Sequence, residues 1–69
     1  MHSDSAKTIG IKVKQVRTEA GLTQQGLSNA SGLSRNTIIN IEKGNHDTGT
    51  NELRLIAKAC NKSFTAVFK

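Results

Sequence analysis

Aromatic residues are nearly missing from this chain. It has two phenylalanines and neither tyrosine nor tryptophan. That argues against a single-stranded nucleic acid as ligand, because unpaired bases are held by stacking on aromatic side chains. Cysteine is equally scarce. A lone Cys60 allows no internal disulfide and suits a reducing compartment. His2 and His46 stand far apart, without the paired Cys or His spacing of a zinc site, so no metal and no cofactor are expected. No apolar run approaches the roughly 20 residues of a membrane span. The opening MHSDSAKT has no apolar signal-peptide core. The expectation is a soluble cytoplasmic protein with no membrane partner. The NAS at Asn29 and the NKS at Asn61 match the glycosylation pattern but carry no weight without secretion. No nucleophile–base pair, phosphate-binding loop or carboxylate pair is present, and 69 residues leave little room for a pocket. An enzyme is not expected.

What the chain has in quantity is positive charge. Ten Lys and Arg against five Asp and Glu give a net charge of +5 and a pI of 9.9. A small basic domain suits nucleic acid or an anionic surface. Since stacking residues are lacking, a duplex read by polar side chains is the better fit. A chain of this size forms one domain and buries only about 60% of its unfolded surface.

There is no proline, repeat or low-complexity run. Residues 1–7 are mostly polar and read as a flexible tail, with the domain spanning 8–69. From Thr8 onward Ile9, Val13, Val16 and Ala20 step by four, three and four, a helical stripe that Gly21 terminates. Thr23 caps a second helix to about Ala30, with Leu27 and Ala30 inward, and Gly32 ends it. Ser34 caps a third helix with Ile38 and Ile41 inward, closed by Gly44. GNHDTGTN is a loop by composition. Asn51 then caps a fourth helix carrying Leu53, Ile56, Ala57 and Cys60. Ser63 caps a short last one carrying Phe64, Val67 and Phe68. No segment alternates with period two, so the fold class is all-α with five helices.

The third helix has an unusual outer side. At about 100° per residue, Ile38 and Ile41 define the inner side. Asn36, Asn40 and Lys43 fall nearly opposite, with Ile39 on the flank and Arg35 in the first turn. A solvated helix face ordinarily carries Glu and Lys in i,i+4 pairs. Asparagine costs a few tenths of a kcal/mol in a helix interior, so solubility alone does not account for two of them. Asparagine pairs bidentately with adenine and arginine with guanine, and an apolar side chain meets the thymine methyl.

TQQGLSNASGLSRNTIINIEKG, residues 23–44, resembles the helix-turn-helix of the lambdoid phage repressor and Cro family, also called the xenobiotic-response-element type. The resemblance rests on Arg17, Thr23, Gln24, Leu27, Gly32, Ser34, Ile38, Ile41, Glu42 and Gly44 at fixed offsets. It extends through LRLIAKACNKSFTAVFK, and so over Ile9 to Phe68. It implies a compact five-helix lambda-repressor-like domain whose recognition helix, 34–43, enters the major groove of double-stranded DNA. By position, Arg35, Asn36, Ile39 and Asn40 would touch bases. Gln24, Thr37, Lys43 and Asn45 would contact phosphates. Arg17 and Glu42 would form a structural ion pair between the first and third helices. Phe64, Val67 and Phe68 would join two copies in a homodimer, since related repressors pair through the region after the fourth helix. The function implied is a bacterial or phage-encoded transcriptional repressor. The alternative is an antitoxin-like or restriction-modification controller protein of the same fold that also binds a partner protein. Two departures stand out. Gly26 occupies a position that usually holds Glu and would complete a capping box with Thr23. The loop after Gly44 lacks the usual basic residues, which leaves Lys12, Lys14 and Lys43 to supply positive charge.

Overall fold

Hydroxyl caps and left-handed stops divide the chain into helices. The computed structural model describes residues 2–68. Met1 and Lys69, the outer ends of the expected tail and domain, lie outside them. The five helices are α1 (His2–Glu19), α2 (Gln24–Ser31), α3 (Arg35–Lys43), α4 (Thr50–Ala59) and α5 (Phe64–Val67), with no strand among the described residues. The architecture is all-α. No helix among these residues is long and apolar enough to cross a membrane.

The Thr23 hydroxyl accepts from the Gly26 N–H at 2.9 Å, the Ser34 hydroxyl from Thr37 N–H at 3.1 Å and the Ser63 hydroxyl from Ala66 N–H at 3.3 Å. Each thereby satisfies a donor that the first helical turn leaves open. Gly21, Gly32 and Gly44 then reverse the chain at φ between 76° and 81°. Asn61 does the same after α4 at φ 62°, a conformation asparagine tolerates better than most residues.

Val13 and Val16 of α1, Leu27 of α2, Ile38 and Ile41 of α3, Leu53, Ile56 and Ala57 of α4, and Cys60 just after α4 form the core. Burial pushes the Cys60 thiol above its ordinary pKa, against the opposing pull of Arg17 and then Lys62.

Four local expectations change. Helix α1 begins at His2, not at Thr8, so the described part of the expected tail is helical. Its early turns dock on α3. A methyl group on Gly10 would collide with the Ile41 carbonyl oxygen and lie 2.9 Å from that of Glu42. Gly10 is therefore the place where two backbones cross without a side chain between them. Ala20 is exposed because α1 ends at Glu19. The position four residues after Val13 is filled by Arg17, 9% exposed. Ala30 is also exposed, and Ser31, 7% exposed, is buried in its stead. Its Oγ accepts from Leu33 N–H at 3.2 Å, while Ser28 Oγ donates to the Leu33 carbonyl at 2.6 Å. The two serines thus hold both backbone groups of Leu33 in the turn between α2 and α3. Finally, α4 starts at Thr50 with Gly49 as its cap residue, where Asn51 was expected. The Glu52 carboxylate reaches back and accepts from the Gly49 N–H at 3.1 Å, the N3 half of a capping box, while Gly49 has no side chain to supply the other half.

Candidate nucleic-acid interface

Ile38 and Ile41 have no exposed surface, and their burial sets the rotation of α3 about its axis. Arg35, Asn36, Asn40 and Lys43 are consequently exposed, with Ile39 and Thr37 half-buried at the flanks. Among the described residues no hydrogen bond or ion pair engages the side chains of Arg35, Asn36 or Asn40. Their donors and acceptors are open to solvent or a ligand. Thr37 differs, because its hydroxyl lies 2.8 Å from that of Ser34 and takes part in capping the helix.

Helix α3 is held from behind by one hydrogen-bonded assembly. Arg17 Nε donates to Glu42 Oε2 at 2.6 Å, and Arg17 Nη2 donates to Glu42 Oε1 at 3.1 Å. The third guanidinium nitrogen, Nη1, donates to the Leu22 carbonyl at 2.9 Å. Gln24 Nε2 adds a bond to Glu42 Oε1 at 3.2 Å. The two charged side chains are only 10% and 5% exposed, so this is a buried, bidentate, charge-assisted pair. It ties α1, the α1–α2 connection, α2 and the last turn of α3 to one another. The Glu42 carboxylate can only accept, so it is the amide nitrogen of Gln24 that faces it. One N–H of that amide remains free to donate outward.

The loop after α3 leaves in a defined direction. The Asn45 N–H donates to the Asn40 carbonyl at 2.9 Å, and His46 Nε2 lies 3.1 Å from Glu52 Oε1. Asn45 itself is exposed, directly after the end of α3.

In α5 and just after it, Phe64, Val67 and Phe68 are each half-buried against the core. The two rings pack at 5.9 Å between centroids and 44° between planes. The Arg54 guanidinium sits 5.6 Å from the Phe64 centroid, within cation–π range. Among the described residues, the large apolar side chains left exposed are Ile11, at 67%, and Leu55, at 43%.

The structure brings the expected base-contacting residues onto one face of α3 and the expected ion pair into contact. The three apolar residues of α5 and its end pack inward. Sequence reasoning missed Gly10 and Ser31. Gly10 gives no local signal, because its role depends on a helix 31 residues later in the chain. Ser31 could have been found from its place just before Gly32, where a hydroxyl can accept from the turn.

Residues 13–67 match the HTH_3 family model, described as helix-turn-helix. Among solved structures, the chain resembles the restriction-modification controller protein C.AhdI from Aeromonas hydrophila, at 25% identity and a TM-score of 0.88 over 94% of this chain and 98% of that one. It also resembles an HTH_3 family transcriptional regulator from Vibrio cholerae, at 25% identity and a TM-score of 0.91. That likeness covers 99% of this chain and 38% of the Vibrio protein. No curated protein matches the sequence.

Proposed function

This chain belongs to the HTH_3 family of Cro/C1-type helix-turn-helix DNA-binding transcriptional regulators, and we propose that it is a sequence-specific repressor that lays α3 in the major groove and acts as a homodimer. The observation that carries the reading is the outer face of α3, where Arg35, Asn36 and Asn40 are exposed and unengaged while Ile38 and Ile41 are buried on the other side. Arg35 supplies two parallel donors to guanine O6 and N7. Asn36 and Asn40 each supply one donor and one acceptor to adenine, and Ile39 covers a thymine methyl at the flank. The free amide N–H of Gln24, together with Thr37, Lys43 and Asn45, holds phosphates and so sets register without reading sequence.

The longest dimension of the domain is 30 Å, shorter than the roughly 34 Å between half-sites on one face of a duplex. One copy therefore reads one half-site, and two copies are needed for a full operator. The outer edges of Phe64, Val67 and Phe68, with exposed Leu55 of α4, are the apolar surface that would join them. Two such domains seated over a promoter block access to it by occupancy alone.

A second reading is favoured by one observation. The likeness to the restriction-modification controller spans nearly the whole of both chains, so this protein would regulate a restriction-modification gene pair. Selection of bound sequences from random duplex DNA, at a stated salt concentration, tests the main reading. Enrichment of two related half-sites about 10 base pairs apart supports it, and no enrichment overturns it. If the recovered operator falls beside endonuclease and methyltransferase genes, the controller reading holds; if it falls elsewhere, that reading is wrong.

A further inference from the structure

Positive charge along α1 is divided between two sides of the helix. Lys12, one of the lysines the sequence left to supply positive charge, instead lies in a groove with Val16, Lys62 and Val67, facing α5, and near Phe68, where no residue of α3 lines the surface. Lys7, five residues earlier, is about 140° away around the axis at 100° per residue. It lies against the end of α3. A methyl group on Gly44 would be 2.8 Å from Lys7 Cγ and 3.1 Å from Lys7 Cα. The stem of this side chain therefore passes directly over Gly44, between Lys43 and Asn45 in the chain. Lys7 is exposed, and among the described residues it has no acidic partner. Its ammonium sits three bonds beyond Cγ, at the free end of a flexible stem.

We infer that Lys7 is a DNA-backbone contact, placed by the Gly10 crossing and by Gly44 so that its ammonium joins Lys43 and Asn45 on one phosphate path. The inference rests on the reading of the chain as a duplex-DNA binder. It adds a contact from α1, outside the helix-turn-helix proper. It also answers where the backbone charge comes from when the loop after Gly44 carries no Lys or Arg between Asn45 and Glu52. Gly44 is needed twice over, once for its left-handed φ of 78° and once because any side chain there would displace Lys7.

The experiment compares Lys7→Gln with Lys12→Gln, which remove the same charge from different sides of α1. Affinity for duplex DNA is measured against salt, for a preferred and an unrelated sequence, together with melting curves. A phosphate contact contributes about −0.9 to the slope of log K against log salt. Lys7→Gln should therefore lose about 0.9 of slope per bound chain, on both sequences. Over a tenfold rise in salt the advantage of the wild type then shrinks about eightfold. Lys12→Gln should keep the wild-type slope, and Lys7→Arg should retain the contact. A wild-type slope in Lys7→Gln overturns the inference, as does an equal loss in Lys12→Gln, which would mean general charge alone. A lower melting temperature with an unchanged slope also overturns it, since Lys7 would then only neutralise the carbonyl end of α3. A wild-type chain that fails to bind duplex DNA overturns the DNA reading itself.

Discussion

Helices α2 and α3 have much in common on paper. Both are short, open with a hydroxyl cap and end on a left-handed glycine, and each carries two exposed amides four residues apart. Their amides behave differently. On α2, Gln25 Nε2 donates to Asn29 Oδ1 at 3.0 Å, so the two amides engage each other. On α3, Asn36 and Asn40 leave their groups open, on a helix whose rotation is set by two fully buried isoleucines. Amide content alone is therefore a poor guide to a reading surface. What separates the two helices is whether the amides are already occupied and how firmly the helix beneath them is held.

The firmness is the first thing to break. Glu42→Ala strands the Arg17 guanidinium in a site 10% exposed, and removing one partner of a buried pair costs about 3–5 kcal/mol. A small domain has a total stability near the low end of about 5–15 kcal/mol, so the variant should melt far below wild type or be unfolded at room temperature. A thermal melt that overlays wild type would mean the assembly does not hold α3. Next come the amides themselves. Asn36→Ala and Asn40→Ala should each cost about 1–3 kcal/mol of affinity on the preferred site and relax selection at one base pair. Gln25→Ala and Asn29→Ala should change stability by no more than about 0.5 kcal/mol and leave the selected sequence as it was. If the α2 substitutions alter the selected motif and the α3 ones do not, the assignment of the two helices is reversed.

The turn that sets the angle between these helices offers a smaller effect. Ser31→Ala removes the acceptor of the Leu33 N–H, and an orphaned part-buried donor costs about 1–3 kcal/mol. Denaturant titration should show that loss with no change in the slope of the transition. The smallest change is a gain. Gly26→Glu replaces a poor helix former, worth up to about 1 kcal/mol, and lets a carboxylate reach the Thr23 N–H. A Cβ there would meet Thr23 Oγ1 at 3.3 Å and Leu22 Cδ2 at 3.4 Å. Leu22 Cδ2 is the end of a rotatable side chain, but the Thr23 hydroxyl is held in place as the cap of the Gly26 N–H, so the net gain stays under about 1 kcal/mol. A melting temperature below wild type would show that this crowding outweighs the cap.

Much of this comparison is legible in the sequence. The stripe of Val13 and Val16, the caps Thr23, Ser34 and Ser63, and the three glycine stops are local signals, and local rules found them. The outer face of α3 followed from the spacing of Ile38 and Ile41. The Arg17–Glu42 contact did not follow from spacing or composition. It came from resemblance, because two charges 25 residues apart carry no pattern of their own. Ala20 was misplaced because helical periodicity cannot tell the last buried turn from the first residue beyond it, and Ala30 because the inward position four residues after Leu27 is held by a polar residue, Ser31. The early start of α1 was invisible for another reason. Residues 2–7 have no apolar stripe, and the contact that Lys7 makes is with a distant partner, Gly44 at the end of α3.

At Gly10 the backbones of α1 and α3 cross with no side chain as a spacer. Side chains at a helix crossing act as soft bearings, since they change rotamer and let one helix slide along the other. Bare backbone has no such freedom, and a shift of α1 toward α3 there would press the glycine against two carbonyl oxygens. Helices α1 and α3 must therefore travel as a single lever. Whatever fitting occurs when this surface meets a ligand has to come from the side chains of α3 and from the loop at 45–49, not from a change in how α3 is mounted.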